Sequence, residues 1–281
     1  MSTVTEYSYD DNGNTLTSTR IEGQTIAEQT IYDWDYENRL IQADTETANA
    51  ITQSTYQYNA NGIRVAATTD GQETRYLIDT NQPYAQVIEE YSPNGDVLAY
   101  YTYGNDLISQ VRVGQQSFYH VDGLGSTRAL TDSSGNVSDT YTYDAYGELI
   151  ASTGDTENNY LYTGEQYDSN LGEYYLRARY YDPSVGRFTA SDPFEGVFTE
   201  PLSLAKYPYV HGNPVNATDP TGLFLLSGYF NTQNELQKLN AAYTQAFLST
   251  IGSRVAQAGG IIGSTILARA SSIGTKMYAN D

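Results

Sequence analysis

A short unit recurs along this chain: two aromatic residues flanking a polar one, then Asp or Asn, then a turn containing Gly or Asn. Copies are Tyr7-Ser8-Tyr9-Asp10 with Asn12-Gly13-Asn14, Tyr56-Gln57-Tyr58-Asn59 with Asn61-Gly62, Tyr91 with Pro93-Asn94-Gly95, and Tyr141-Thr142-Tyr143-Asp144 with Tyr146-Gly147. A degenerate copy runs from Tyr32-Asp33-Trp34-Asp35-Tyr36 to Asn38-Arg39-Leu40. A step of roughly 20–25 residues is the period of a stacked repeat. Alternating aromatics place their rings on one face of a strand, and Asn-Gly supplies the positive φ values of a type I′ turn, so each unit predicts a β-hairpin. A lone hairpin is marginal in water, so the units must pair edge to edge. The expected fold is mainly β, a long curved antiparallel sheet of stacked hairpins.

Composition decides whether such a sheet can have a core. A formal net charge of -20 and few aliphatic residues lie near the composition of disordered chains, but 28 Tyr in 281 residues supply large rings that bury apolar faces while the hydroxyl finds a polar partner. Lysine occurs only at Lys206, Lys238 and Lys276, and nucleic-acid affinity rests on clustered cations, so nucleic acid is excluded as a partner of residues 1–223. Beyond Leu223 the balance reverses, with acids at Glu235 and Asp281 against bases at Lys238, Arg254, Arg269 and Lys276. No cysteine is present, which rules out disulfides and thiolate metal sites. Asp10, Asn12 and Asn14 imitate a calcium loop, but the closing Glu and the flanking helices of an EF-hand are missing, and turn chemistry accounts for them. His120 and His211 have no carboxylates at ligand spacing, so no metal or other cofactor is assigned. The first residues lack the basic and apolar regions of a signal peptide, and the apolar run Val255–Ala268 is too short to span a bilayer. Export is then expected through an upstream region or a dedicated secretion machine, to the outside or the cell surface.

From Phe118 the sequence becomes specific. Phe118-Tyr119-His120-Val121-Asp122-Gly123-Leu124-Gly125-Ser126 is followed by Leu161-Tyr162-Thr163-Gly164-Glu165-Gln166-Tyr167-Asp168. Next come Gly172-Glu173-Tyr174-Tyr175-Leu176-Arg177-Ala178-Arg179-Tyr180-Tyr181-Asp182-Pro183 and Gly186-Arg187-Phe188, and the block closes on Pro214-Val215-Asn216-Ala217-Thr218-Asp219-Pro220-Thr221-Gly222-Leu223. In this order these segments resemble the Rhs repeat-associated core of Rhs/YD-repeat proteins, the shells of polymorphic toxins and of Tc-toxin C subunits. The resemblance is strong over 118–223 and looser over 1–117, and it implies three parts: YD-repeat hairpins at 1–117, the core at 118–223, and a variable tail at 224–281. Taken alone, the tyrosine pairs around Arg177 and Arg179 read as strands whose guanidiniums stack or pair with carboxylates. The Asp-Pro steps read as extended or turn dipeptides.

The resemblance also implies a chemistry, a single-turnover aspartyl autoprotease that cuts after the Leu of DPxGL. Its motif here includes Pro214, Pro220 and Gly222, and the bond to be cut joins Leu223 to Phe224. Peptide hydrolysis by carboxylates needs two acids sharing a proton, one to activate water and one to protonate or polarise the scissile group. Asp219 matches the DPxGL aspartate, Asp192 is its candidate partner, and Arg187 is the candidate guanidinium that orients a carboxylate. Asp168 and Asp182 are rivals to Asp192, and Arg187 reads equally as a bridge between strands. No Gly-x-Ser-x-Gly elbow and no cysteine nucleophile is present, which removes triad hydrolysis.

In the tail, apolar residues Leu236, Leu239, Tyr243, Phe247 and Ile251 at helical spacing predict one or two helices broken by Gly259-Gly260 and Gly263, a short helical tail. No toxin chemistry is legible there. Family shells are longer than the 117 residues upstream of the core, so this chain is expected to be a fragment or an orphan module that does not close a cavity alone. Expected partners are its own tail, an upstream shell or secretion component, and an immunity protein. The alternative is a non-catalytic cell-surface or carbohydrate-binding module, its partner a surface glycan, with Asp219–Leu223 as a plain turn.

Overall fold

A computed structural model describes residues 2–196, 198, 201–223, 226 and 227. Phe224 and the predicted helical tail lie outside the described residues. Fourteen strands follow one another in chain order as one antiparallel sheet. They are β1 (Thr3–Tyr9), β2 (Thr15–Glu22), β3 (Thr25–Trp34), β4 (Leu40–Thr47), β5 (Ile51–Tyr58), β6 (Arg64–Thr69) and β7 (Gln72–Asp79), then β8 (Gln86–Tyr91), β9 (Val97–Tyr103), β10 (Leu107–Arg112), β11 (Gln115–Val121), β12 (Thr127–Thr131), β13 (Val137–Tyr143) and β14 (Leu149–Thr153). The sheet is the curved stack of hairpins that the repeats predict. The 117/118 boundary drawn from the motifs falls inside β11, so the first part of the core is built into the same sheet.

The turns differ from the expected type I′. At Asp10, Asp35, Asn59, Ser92, Asp122, Asp132 and Asp144 the chain makes one five-residue turn in which the fourth residue, Gly or Asn38, alone has positive φ. Asp10 Oδ1 accepts the amides of Asn12 and Asn14 at 2.9 and 2.7 Å, and Gly13 N–H donates to the Asp10 carbonyl at 3.1 Å. The Asx side chain thus replaces a second left-handed residue. A register shift immediately before each of these turn residues, as at Ser8/Tyr9 and Thr142/Tyr143, is a bulge that adds twist and bends the sheet. Two-residue I′ turns occur instead at Asp70-Gly71 and Val113-Gly114, where both residues have positive φ.

The sheet buries one face under the rest of the core. Strands β15 (Gln166–Asp168), β16 (Glu173–Leu176), β17 (Arg179–Asp182) and β18 (Arg187–Phe188) form a second, four-stranded antiparallel sheet. Tyr174, Tyr180 and Tyr181 on it are almost fully buried. Their phenols, and those of the large sheet, are tied across the interface. Tyr32 donates to Glu173 at 2.8 Å, Tyr56 to Asp168 at 2.8 Å, and Tyr174 and Tyr181 to the carbonyls of Gly147 and Tyr146 at 3.0 and 2.6 Å. A tyrosine core answers the composition puzzle, because each ring adds buried area while the hydroxyl can still reach an acceptor. Among the described residues no helix is long and apolar enough to cross a membrane.

Candidate functional site

The chain leaves the second sheet, returns through Pro214, whose carbonyl accepts the Tyr162 hydroxyl at 3.3 Å, and forms a short hairpin of β19 (Ala217–Thr218) and β20 (Leu226–Ser227). The turn of that hairpin begins at Asp219. Its Oδ1 accepts the amides of Thr221 and Leu223 at 3.2 and 3.1 Å and the Thr221 hydroxyl at 3.1 Å, while Gly222 has φ +70°. This is the five-residue turn of the large sheet in a different setting. Those turns are exposed at their tips, whereas Asp219 is 3% exposed.

The burial comes from the connection between β16 and β17, where three consecutive residues hold three consecutive carbonyls of the turn. Arg177 Nη1 donates to the Pro220 carbonyl, Ala178 N–H to that of Thr221 at 3.2 Å, and Arg179 Nε to that of Gly222. The fit is close enough that a Cβ on Gly222 would lie 2.4 Å from the Leu176 carbonyl oxygen.

Arg179 then brings the two predicted aspartates together. Its Nη2 donates to Asp192 Oδ2 at 2.8 Å and lies 4.0 Å from Asp219 Oδ2. Its Nη1 donates to the Lys206 carbonyl at 3.1 Å and its guanidinium stacks 3.7 Å over the Phe188 ring. Asp192 is fixed from its own side, with Oδ1 accepting the Phe194 amide at 2.8 Å and its N–H donating to the Lys206 carbonyl at 3.0 Å. Burial raises the Asp192 pKa, against the pull of Arg179 and Lys206. One carboxyl beside the turn thus has a raised pKa, and a second, that of Asp219, accepts the amide of Leu223 itself.

The guanidinium beside these two carboxylates is that of Arg179, and Arg187 is placed away from them. Arg187 is exposed and pairs in register with Asp182, at the opposite end of β17 from Arg179, in a groove with Tyr7, Tyr9 and Tyr207. Asp168 and Asp182 also lie elsewhere, the first on Tyr56 and Arg64, the second on Tyr7 and Ser184. From the sequence Arg177 and Arg179 are strand residues whose guanidiniums stack or pair with carboxylates, with nothing to put them on the Asp219 turn. Their spacing on either side of Ala178 in a tight connection was the available signal. Leu223 is half-buried, and its predicted partner in the scissile bond, Phe224, lies outside the described residues.

Such a sheet of Asx-turned tyrosine hairpins, closed on one face by its own core, defines a segment of a YD-repeat shell. The chain belongs to the Teneurin YD-shell family, whose model matches residues 2–215. It is 36% identical over 220 residues to the tRNA3(Ser)-specific nuclease WapA of Bacillus spizizenii, covering 76% of this chain and 9% of that protein. It is 25% identical over 252 residues to the double-stranded DNA deaminase toxin A of Burkholderia cenocepacia, covering 77% of this chain and 17% of that one. Among solved structures, the Photorhabdus luminescens Tc holotoxin pore with a TccC3 mutation has the same fold with a TM-score of 0.54 at 18% identity, over 80% of this chain and 13% of that one. The chain thus spans a small part of the length of the relatives it matches.

Proposed function

We propose that the chain is the closing segment of a toxin shell, and that its core cuts the peptide bond between Leu223 and Phe224, freeing residues 224–281 from the shell. The observation that carries the reading is the convergence of Asp192 and Asp219 on the Arg179 guanidinium beside Leu223. In this reading Asp219 takes a proton from a water molecule as its oxygen attacks the Leu223 carbonyl carbon. Asp192 gives its proton to the departing nitrogen of Phe224, leaving a carboxyl group on Leu223 and an amine on Phe224. Arg179 orients both carboxylates. Relatives named as a nuclease and a deaminase toxin support a tail that acts once it is free, with the upstream shell as partner. Delivery outside the producing cell belongs to the same reading.

A second reading has its own support, because the Asp219 turn repeats the geometry of the Asx turns in the large sheet and has the form of a structural element. Intact-mass measurement of freshly produced chain separates the two. Self-cutting gives a fragment ending at Leu223, and Asp219→Asn slows its appearance by about 10²-fold or more. A wild-type chain that stays whole favours the structural turn.

A further inference from the structure

Glu165 is not one of the paired aspartates, yet it is tied to the same turn. It follows the 3-10 turn Tyr162–Gly164 and is 4% exposed. Its Oε2 accepts from Arg177 Nη1 at 2.6 Å, and that same nitrogen donates to the Pro220 carbonyl, one residue beyond Asp219. Arg177 is held from two further sides, by Nε donating to the Ala85 carbonyl at 2.7 Å and by the Tyr84 ring 4.6 Å beneath the guanidinium. Its backbone has φ +60°, a left-handed conformation unfavourable for a residue with a side chain. The strained backbone and the triply held guanidinium place one N–H on the turn, and Glu165 supplies the only carboxylate among the described residues that pairs with that arginine.

We propose that Glu165 is a positioning residue for the cleavage: through Arg177 it holds the Asp219–Leu223 turn against the β16–β17 connection, more firmly when ionised than when protonated. The proposal rests on the self-cutting reading above. The groups facing Glu165 are Arg177 from the β16–β17 connection, Asp219 from the turn itself, Tyr84 from the loop before β8, and Tyr103 from β9. Burial pushes the Glu165 pKa up to about 7, against the pull of Arg177, and the charge of Asp219 adds to the rise. Below that pH the neutral carboxyl keeps a hydrogen bond to Arg177 but loses the charge attraction, and the hold on Pro220 loosens.

The test compares the full wild-type chain with Glu165→Gln, a substitution of nearly equal shape, and with Arg177→Lys, which keeps the charge but cannot bridge Glu165, Ala85 and Pro220 at once. Two quantities are read across about two pH units on either side of neutrality: the cleavage rate by intact mass, and amide exchange at Thr221 and Leu223. The wild-type rate relative to that of Glu165→Gln, a ratio in which the titration of Asp192 cancels, is expected to climb through pH about 7. Glu165→Gln is expected to cut about tenfold more slowly than wild type on the alkaline side, to match it more nearly on the acid side, and to exchange the two amides about tenfold faster. Arg177→Lys is expected to shift both readouts the same way. Glu165→Gln with wild-type rate, pH profile and exchange overturns the proposal, and if that variant does not fold, Arg177→Lys with wild-type values does so. A wild-type chain that stays whole defeats the self-cutting reading instead, and the exchange comparison still decides whether Glu165 holds the turn.

Discussion

Asp219 performs the same backbone task as Asp10, Asp122, Asp132 and Asp144, accepting the amides two and four residues ahead. What separates it is its surroundings: a carboxylate folded under Arg177, Ala178 and Arg179 instead of one at an open hairpin tip. Gly222 is where that packing is tightest, since its positive φ and a Leu176 carbonyl oxygen that an added Cβ would overlap leave no room for a side chain. Gly222→Ala is expected to cost about 2–3 kcal/mol in a urea titration. Gly135→Ala, at φ +83° with nothing within 4 Å, is expected to cost about 1 kcal/mol. Both aspartates of the site were legible in the sequence as Asp-Pro steps. The arginine was not, because Arg179 and Arg187 both stand beside aromatics and are separated only by strand register. Leu176 pairs with Arg179 at one end of the hairpin, and Asp182 pairs with Arg187 at the far strand.

At the scale of elements, the tyrosine alternation announced the strands, and the Asp/Asn-to-Gly spacing announced the turns. The turn type was misread because Asn-Gly by itself suits type I′, whereas the Asp or Asn three residues before the Gly supplies a side-chain acceptor that favours a single left-handed residue with a bulge. Nothing local marked the large sheet's partner layer, since Tyr32 meets Glu173 across 141 residues. Arg64 is the clearest case of such a non-local device. It is 2% exposed, lies 4.2 Å over the Tyr175 ring and within about 6 Å of the rings of Tyr56, Tyr76 and Tyr180, donates to the Tyr180 hydroxyl at 2.5 Å, and sits 3.6 Å from Asp168. Replacing it with Leu takes the cation from the half-buried Asp168 carboxylate and empties the space between four rings. Arg64→Leu is expected to lower stability by about 3 kcal/mol or more, read as a fall in the urea midpoint.

For the molecule as a whole, joining two sheets through buried polar groups makes stability depend on pH. Glu165, Glu173, Asp182 and Asp192 all have pKa values raised by burial. Between their ordinary values and these raised ones the folded chain binds more protons than the unfolded chain, so stability falls as pH rises through that window. Asp35, Asp79 and Asp132 have lowered values and withdraw stability only when pH drops below the ordinary carboxylate range. The chain is therefore expected to have a higher urea midpoint near pH 5 than near pH 8. Glu165, moving from 4.5 to about 7, contributes up to ~3 kcal/mol of that difference, and Glu165→Gln should flatten the profile by that share. Cleavage after Leu223 by Asp192 and Asp219 on the Arg179 guanidinium is put to the test by following intact mass over time for wild type, Arg179→Lys and Arg187→Lys together. Wild type and Arg187→Lys should each yield a fragment ending at Leu223, and Arg179→Lys an intact or far more slowly cut chain. An uncut wild type, or a fragment that disappears with Arg187→Lys and persists with Arg179→Lys, would contradict it.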